Sequence, residues 1–163
     1  MISRRSMMAG TAAIGLVGCT AQPPVYIGPE VTRIQILKER REMQILHNRT
    51  LLKSYKVDLG FTPVGHKAQE GDGRTPEGGY RIDRRNPNSR FHLSLGISYP
   101  DANDIAYARA KGIDPGGDIF IHGTPQRWIG MPDWTWGCIA VTNDEMDELY
   151  PMINTGTPIY IYA

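Results

Sequence analysis

Short segments of alternating apolar and polar residues, separated by turns, constrain the fold of this chain more than any other feature. In residues 91–97 (Phe-His-Leu-Ser-Leu-Gly-Ile), apolar side chains occupy every second position. Because a strand places successive side chains on opposite faces, this segment predicts a β-strand with one buried face. The 18 glycines and 12 prolines are suited to the turns between such segments. The sequence therefore predicts a mainly β fold.

Other short apolar or alternating segments predict further strands, at residues 31–37, 43–46, 51–59, 80–82, 119–122, 138–141 and 159–162. The polar residues 38–41 are expected to join the first two of these into a hairpin. Sheets with one apolar face are stable when two such faces pack together, so we expect a mostly antiparallel β-sandwich.

One helix is well marked in the sequence. Residues 142–145 (Thr-Asn-Asp-Glu) fit a capping box, in which Thr142 begins the helix and Glu145 reaches back to it. Apolar residues at helical spacing follow, and Pro151 is expected to end the helix. A second short helix is expected at residues 104–111. The predicted fold class is thus a β-sandwich with one or two short helices.

The N-terminal residues carry a targeting pattern rather than a fold. Residues 1–18 combine a charged start with a short stretch of small apolar residues, which is typical of a signal peptide. Residues 16–19 (Leu-Val-Gly-Cys) resemble a bacterial lipobox, which implies lipidation of Cys19 and a membrane anchor there. The paired arginines also resemble a twin-arginine signal. The alternative is an ordinary signal peptide with a chance cysteine.

These features predict where the protein resides. Residues 19–30 are rich in proline and predict a lipid-anchored linker to a single domain at residues 31–163. We expect a periplasmic, lipid-anchored protein. Thr20, rather than aspartate, follows Cys19, which favours the outer membrane over the inner one.

Composition excludes several classes of ligand. The 18 basic and 17 acidic residues give a net charge of +1, so neither nucleic acid nor a polybasic membrane contact is expected. Four dispersed histidines and one cysteine outside the signal do not have the spacing of a zinc site. The sequence therefore predicts neither a metal ion nor a cofactor.

Cys138 is the strongest candidate for a catalytic residue in this sequence. The chain has two cysteines, and the other, Cys19, is the predicted lipidation site, so Cys138 would be an unpaired thiol in an exported protein. A nucleophile with a histidine base explains such a thiol, and His122 ends an apolar strand sixteen residues earlier. The amides of Gly137 and Cys138 are candidate oxyanion donors. Asp118 is about 13 Å from His122 along the strand, too far to orient the imidazole, and a backbone carbonyl is the alternative.

Three motifs together resemble the L,D-transpeptidase catalytic domain (YkuD-type). They are His122-Gly123, residues 135–143 (Thr-Trp-Gly-Cys-Ile-Ala-Val-Thr-Asn) and residues 71–78 (Gly-Asp-Gly-Arg-Thr-Pro-Glu-Gly). Trp136 and Ala140 stand where this family usually has histidine and arginine, which places the chain in a divergent subgroup. The resemblance covers residues 31–163.

The resemblance implies an acyl transfer reaction on peptidoglycan stem peptides and roles in cell-wall synthesis and cell shape. Cys138 would attack the carbonyl that precedes a terminal D-alanine, with His122 assisting, and form an acyl-enzyme. An amine of another stem peptide, or a lysine of an envelope protein, would then accept the acyl group. Water as acceptor would make the enzyme a carboxypeptidase or an amidase, and a non-catalytic wall-binding lipoprotein is a further alternative.

Five residues near the motifs are candidates for substrate binding. They are Trp136, Thr135, Trp134, His92 and Gly123. The alternatives are that the tryptophans serve only in packing and that His92 is a solvent-exposed residue without a function.

Overall fold

The computed structural model describes residues 25–163. Within this range, eight strands and two α-helices follow one another as β1 (Arg33–Leu37), β2 (Glu42–His47), β3 (Thr50–Lys56), β4 (Gly78–Ser89), β5 (His92–Ile97), α1 (Ala102–Lys111), β6 (Phe120–His122), β7 (Ile139–Ala140), α2 (Asn143–Met152) and β8 (Pro158–Tyr162). A short 3₁₀ turn, Gln126–Trp128, lies between β6 and β7.

The strands pair in the order β3-β2-β1-β8-β4-β5-β6-β7. Five of the seven pairs are antiparallel, and the β1–β8 and β6–β7 pairs are parallel. Residues 78–81 of β4 pair with β8, whereas residues 82–89 pair with β5. The long strand β4 therefore links the two halves of the sheet.

One apolar core is shared by both halves. Alternate residues of β1, β2, β5 and β6 are fully buried in it, and the α2 side chains that pack there are Met146, Leu149 and Met152. Burying both apolar faces against each other removes them from water, which is the main driving force for this arrangement. The expected mainly β, mostly antiparallel sandwich with two short helices is confirmed.

Two details differ from expectation. Strand β4 extends to Ser89, seven residues beyond the predicted end, because its polar second half is held by the ladder with β5 rather than by an apolar pattern. Helix α2 continues through Pro151 to Met152. The Arg85 guanidinium donates to the carbonyls of Tyr150 and Ile153 at 3.0 Å, so acceptors at the helix end are satisfied.

The predicted capping box is present. The Glu145 amide donates to Thr142 Oγ1 at 3.2 Å, and the Thr142 amide donates to Glu145 Oε2 at 2.9 Å. The predicted signal peptide and Cys19 lie outside the described residues. Within residues 25–163, neither helix has the length and apolarity needed to cross a bilayer.

Candidate active site

The pairing of β6 with β7 sets the positions of Cys138 and His122. Ile121 pairs with Ile139, and both side chains point into the core. Because side chains alternate along a strand, His122 and Cys138 on either side of these isoleucines point to the opposite face, with Cα atoms about 8 Å apart. The thiol and the imidazole line one cavity of about 640 Å³. We call this the histidine cavity, and its other lining residues are Asn86, Asn88, Ser89, Arg90, Phe91, Ser94, Asp118 and Phe120.

The imidazole of His122 is held in the form that a general base requires. Its Nδ1 lies 2.8 Å from the Gly123 carbonyl oxygen, which can only accept, so Nδ1 carries the proton and Nε2 has a free lone pair. Nε2 makes no hydrogen bond to another described residue. Burial lowers the pKa of His122, since the charged form is less well solvated there. The imidazole is therefore neutral and ready to accept a proton.

Two aromatic rings, those of Phe91 and Trp134, pack against the imidazole, and their own centroids lie 6.2 Å apart. The Phe91 ring stacks on the imidazole with centroids 4.6 Å apart, and the Trp134 ring lies at 5.6 Å. Trp134 in turn stacks on Trp128 at 5.3 Å. The sequence predicts that Trp134 binds substrate; its ring packs against the imidazole and is not among the lining residues of either cavity beside Cys138.

The thiol of Cys138 is neutral in the free protein. The pKa of Cys138 is raised to about 11, mainly by burial and also by the charge of Asp118, while the Phe120 amide and Lys67 act in the opposite direction by favouring the thiolate. The Sγ–H donates to the Asp118 carbonyl oxygen at 3.5 Å rather than to His122. A neutral thiol beside a neutral imidazole means that the proton must move as the sulfur attacks, not before.

A second cavity opens on the other side of the thiol. It has a volume of about 440 Å³, and its lining residues are Lys67, Glu70, Gly71, Gly116, Gly117, Asp118, Ile119, Trp136 and Cys138. We call it the tryptophan groove. The Trp136 ring is 71% exposed and meets the Phe61 ring edge-to-face at 5.0 Å. The structure thus places Trp136 where it can contact a molecule bound at the half-buried Cys138.

The turn before Cys138 corrects two expectations. Thr135 is buried, and its Oγ1 donates to the Cys138 carbonyl at 2.7 Å while accepting from the Gly137 amide at 3.1 Å. Thr135 therefore shapes the turn and lines neither cavity beside Cys138. The Gly137 amide is already used, so it is not a free oxyanion donor. The Cys138 amide makes no hydrogen bond within residues 25–163 and is the remaining candidate.

Glycine is required at Gly137 because the turn at residues 71–78 packs directly on it. Gly137 has a φ of +123°, and an added Cβ would lie 2.5 Å from the Arg74 carbonyl oxygen. A Cβ at Gly60 would similarly lie 2.0 Å from the Gly73 carbonyl oxygen. This close packing explains why two motifs sixty residues apart in the sequence occur together at one site.

The sequence predicts that His92 and Gly123 bind substrate, but neither residue lines the histidine cavity. Alternation places His92 on the same strand face as Ser94, but its φ of +73° turns the side chain away. The His92 Nε2 lies 2.6 Å from the Asp147 carboxylate on α2. Gly123 is buried, and its carbonyl orients His122 instead of binding substrate.

Some lining residues were missed by the sequence analysis. Ser94 pairs with His122 across β5 and β6, and the alternating pattern of β5 already placed it on the polar face. The alternating pattern predicts that Phe91 lies on the core face of the strand at residues 91–97, whereas its ring stacks on the His122 imidazole. Among the described residues, no group of three histidine, cysteine or carboxylate side chains is arranged to hold a metal ion.

Comparison with known proteins shows the family. Residues 31–161 match the family described as the L,D-transpeptidase catalytic domain (YkuD). The chain belongs to this family. It is 32% identical over 143 residues to Escherichia coli (strain K12) YafK, whose assignment as an L,D-transpeptidase is provisional. That match covers 84% of this chain and 50% of YafK, so the chain spans about half the length of the curated relatives it matches.

Solved structures agree on the fold. Pgp2 of Campylobacter jejuni, a helical cell shape determining protein, has a TM-score of 0.65 at 23% identity, over 83% of this chain and 49% of that one. An L,D-transpeptidase of Mycobacterium smegmatis has a TM-score of 0.57 at 14% identity, over 83% of this chain and 60% of that one. At these identities the similarity establishes the fold alone.

Proposed function

We propose that this L,D-transpeptidase family domain is a cysteine acyltransferase that acts on peptidoglycan stem peptides. Cys138 is the proposed nucleophile and His122 the proposed general base and acid. The observation that carries the proposal is that the thiol and the neutral imidazole line one cavity, with Nε2 unprotonated because Nδ1 donates to Gly123. This is the arrangement that acyl transfer through a thioester requires.

The first half-reaction forms the acyl-enzyme. The sulfur of Cys138 attacks the carbonyl carbon that precedes the terminal D-alanine, and His122 Nε2 takes the thiol proton. The Cys138 amide, which makes no hydrogen bond within residues 25–163, would donate to the oxyanion. The protonated imidazole then gives its proton to the nitrogen of the departing D-alanine, and the carbon–nitrogen bond breaks to leave a thioester.

The second half-reaction transfers the acyl group. An acceptor amine attacks the thioester carbon, His122 takes the proton from that amine, and the Cys138 sulfur leaves and is reprotonated. Two cavities meet at the sulfur, so the acyl chain and the acceptor can approach from different sides. This layout supports transfer to an amine, either of a second stem peptide or of a protein lysine. Water in the acceptor position would give a carboxypeptidase or amidase instead.

The experiment is to incubate the purified protein with sacculi, to digest the sacculi with a muramidase and to identify the muropeptides and the released D-alanine by mass, with Cys138→Ala as the control. We expect new cross-linked muropeptides and released D-alanine with the wild type only. Shortened or uncross-linked products that depend on Cys138 would instead show the hydrolytic alternative. Identical products from wild type and Cys138→Ala would contradict the proposal, and retention on sacculi without products would indicate a wall-binding protein.

We also propose that the domain works in the periplasm on a lipid anchor at Cys19, in the outer membrane, and contributes to cell shape. The support is the lipobox pattern of residues 16–19 and the proline-rich linker. Labelling cells with a radioactive fatty acid tests the anchor. The protein should be labelled and sediment with outer membranes, whereas Cys19→Ala should not be labelled. Label that persists in Cys19→Ala would contradict the anchor.

A further inference from the structure

Gly123 is enclosed by three parts of the protein. Its amide donates to the Phe91 carbonyl at 3.0 Å. A Cβ added to Gly123 would lie 2.2 Å from Asn143 Oδ1, 3.0 Å from the Phe91 carbonyl oxygen and 3.1 Å from His92 Cβ. The Asn143 side chain therefore lies directly against the Gly123 backbone, and no larger residue fits at position 123.

Asn143 carries a polar atom without a partner. Its Oδ1 is buried and makes no hydrogen bond within residues 25–163. Leaving a buried acceptor without a hydrogen bond destabilises the folded state, so the position of this atom needs an explanation. Capping of α2 is not the explanation, because Thr142 and Glu145 already form the capping box.

The contact with Gly123 gives Asn143 a role. The Gly123 carbonyl is the acceptor that holds the His122 Nδ1 proton. The Phe91 carbonyl accepts from the Gly123 amide, and the Asn143 side chain lies against the same backbone, so both limit its movement. We propose that Asn143 is a positioning residue that acts through Gly123 to keep the His122 imidazole oriented with Nε2 towards Cys138. This inference rests on the proposed function of His122.

The role is one of shape rather than of hydrogen bonding, since the buried oxygen has no partner. Leucine branches at the same atom as asparagine and has a similar outline, so Asn143→Leu should preserve the contact. Asn143→Ala removes it. Asp144→Ala is the matched control, because Asp144 is the next residue of α2 and is exposed.

The test measures the ¹⁵N chemical shifts of the His122 ring by NMR in the full-length protein and, separately, kcat and KM on muropeptides. With Asn143→Ala, we expect the shifts to move towards a mixture of tautomers and kcat to fall about tenfold or more, with KM within about twofold of wild type. Asn143→Leu and Asp144→Ala should retain wild-type shifts and kcat.

Wild-type His122 shifts and kcat in Asn143→Ala would overturn the inference, as would an equal loss in Asp144→Ala. If Asn143→Ala does not fold, Asn143→Leu provides the second test. A shift of the His122 tautomer in a folded Asn143→Leu protein would also overturn the inference. The NMR result does not depend on turnover. A protein without turnover whose tautomer still responds to Asn143→Ala would contradict the proposed function and leave the positioning role supported.

Discussion

The histidine cavity and the tryptophan groove meet at one sulfur atom but are built differently. The first is formed by the paired strands β4, β5 and β6, and its imidazole packs against the rings of Phe91 and Trp134. The second is formed by turns with several glycines and an exposed Trp136. Rigid strands hold reacting groups precisely, whereas turns vary without disturbing the core. The comparison suggests that chemistry resides in the histidine cavity and substrate choice in the tryptophan groove.

The histidine cavity and the tryptophan groove also differ in the charged residues that line them. The tryptophan groove contains Glu70 without a salt-bridge partner among the described residues, and its one lysine, Lys67, is paired with Asp72 at 2.9 Å. The histidine cavity contains Arg90 and the amides of Asn86 and Asn88. Asp118 lies between the two and pairs with Arg84 at 3.0 Å.

The largest effect is expected from removal of the base. His122→Gln should lower kcat about 10²- to 10⁴-fold, because glutamine cannot take the thiol proton. His92→Gln is the matched control, since His92 lies outside the cavity, and it should change kcat less than about twofold. Muropeptide turnover measures both variants. Similar losses in the two would contradict the assignment of the base.

The next largest effect is expected in the pH dependence of Cys138 labelling. Because the pKa of Cys138 is about 11, its labelling by iodoacetamide should rise about tenfold per pH unit from pH 7 to 10, in proportion to the thiolate fraction. Turnover behaves differently, since it depends on neutral His122, whose pKa is below the ordinary value of 6.5. Activity should therefore fall only when the pH drops below the lowered pKa of His122, where the imidazole becomes protonated. A labelling plateau near neutral pH would show a preformed thiolate and contradict the account.

A smaller effect is expected in the tryptophan groove. Trp136→Ala should raise KM about three- to tenfold and leave kcat nearly unchanged, because the ring is placed to bind substrate and not to react. Tyr107→Ala, which removes an aromatic ring that is 52% exposed on α1, is the control. A fall in kcat with constant KM would place Trp136 in the chemical step instead.

The smallest effect tests the boundary between the two cavities. Asp118→Asn should lower the pKa of Cys138 and increase its labelling at pH 8 about two- to threefold, since the Asp118 charge disfavours the thiolate. Asp83→Asn is the control, because Asp83 pairs with the same Arg84 at 2.7 Å but lines neither cavity. Equal changes in both would mean that Arg84, not Asp118, sets the effect.

The sequence predicts the fold class, the capping box of α2, the strand that ends at His122 and the strand that directly follows Cys138, since each has a local pattern. Alternation also puts Ser94 on a polar face. Alternation gives the wrong orientation for His92, because the positive φ of His92 turns its side chain away from the face it predicts. The pattern of apolar and polar residues does not show such a change of φ. The Gly137 amide is likewise identified as a donor from its position alone, whereas its actual partner, Thr135, depends on the path of the turn.

The contacts that Phe91 and Asn143 make around His122 and Gly123 are long-range and are not visible in the sequence. Phe91 and Asn143 come from separate elements and meet at Gly123 only in the folded chain. Neither hydrophobicity nor spacing reports that a carbonyl will face an imidazole nitrogen. Motif matching identified the residues at this site, but only the structure assigns them positions.

Intact-protein mass spectrometry tests the central claim most directly. The wild type, mixed with a stem tetrapeptide and quenched in acid, should gain the mass of the acyl tripeptide, with the adduct on Cys138 and free D-alanine in solution. Cys138→Ala should gain no mass. An unmodified wild-type protein that still turns over substrate, or an equal adduct on Cys138→Ala, would contradict a thioester at Cys138.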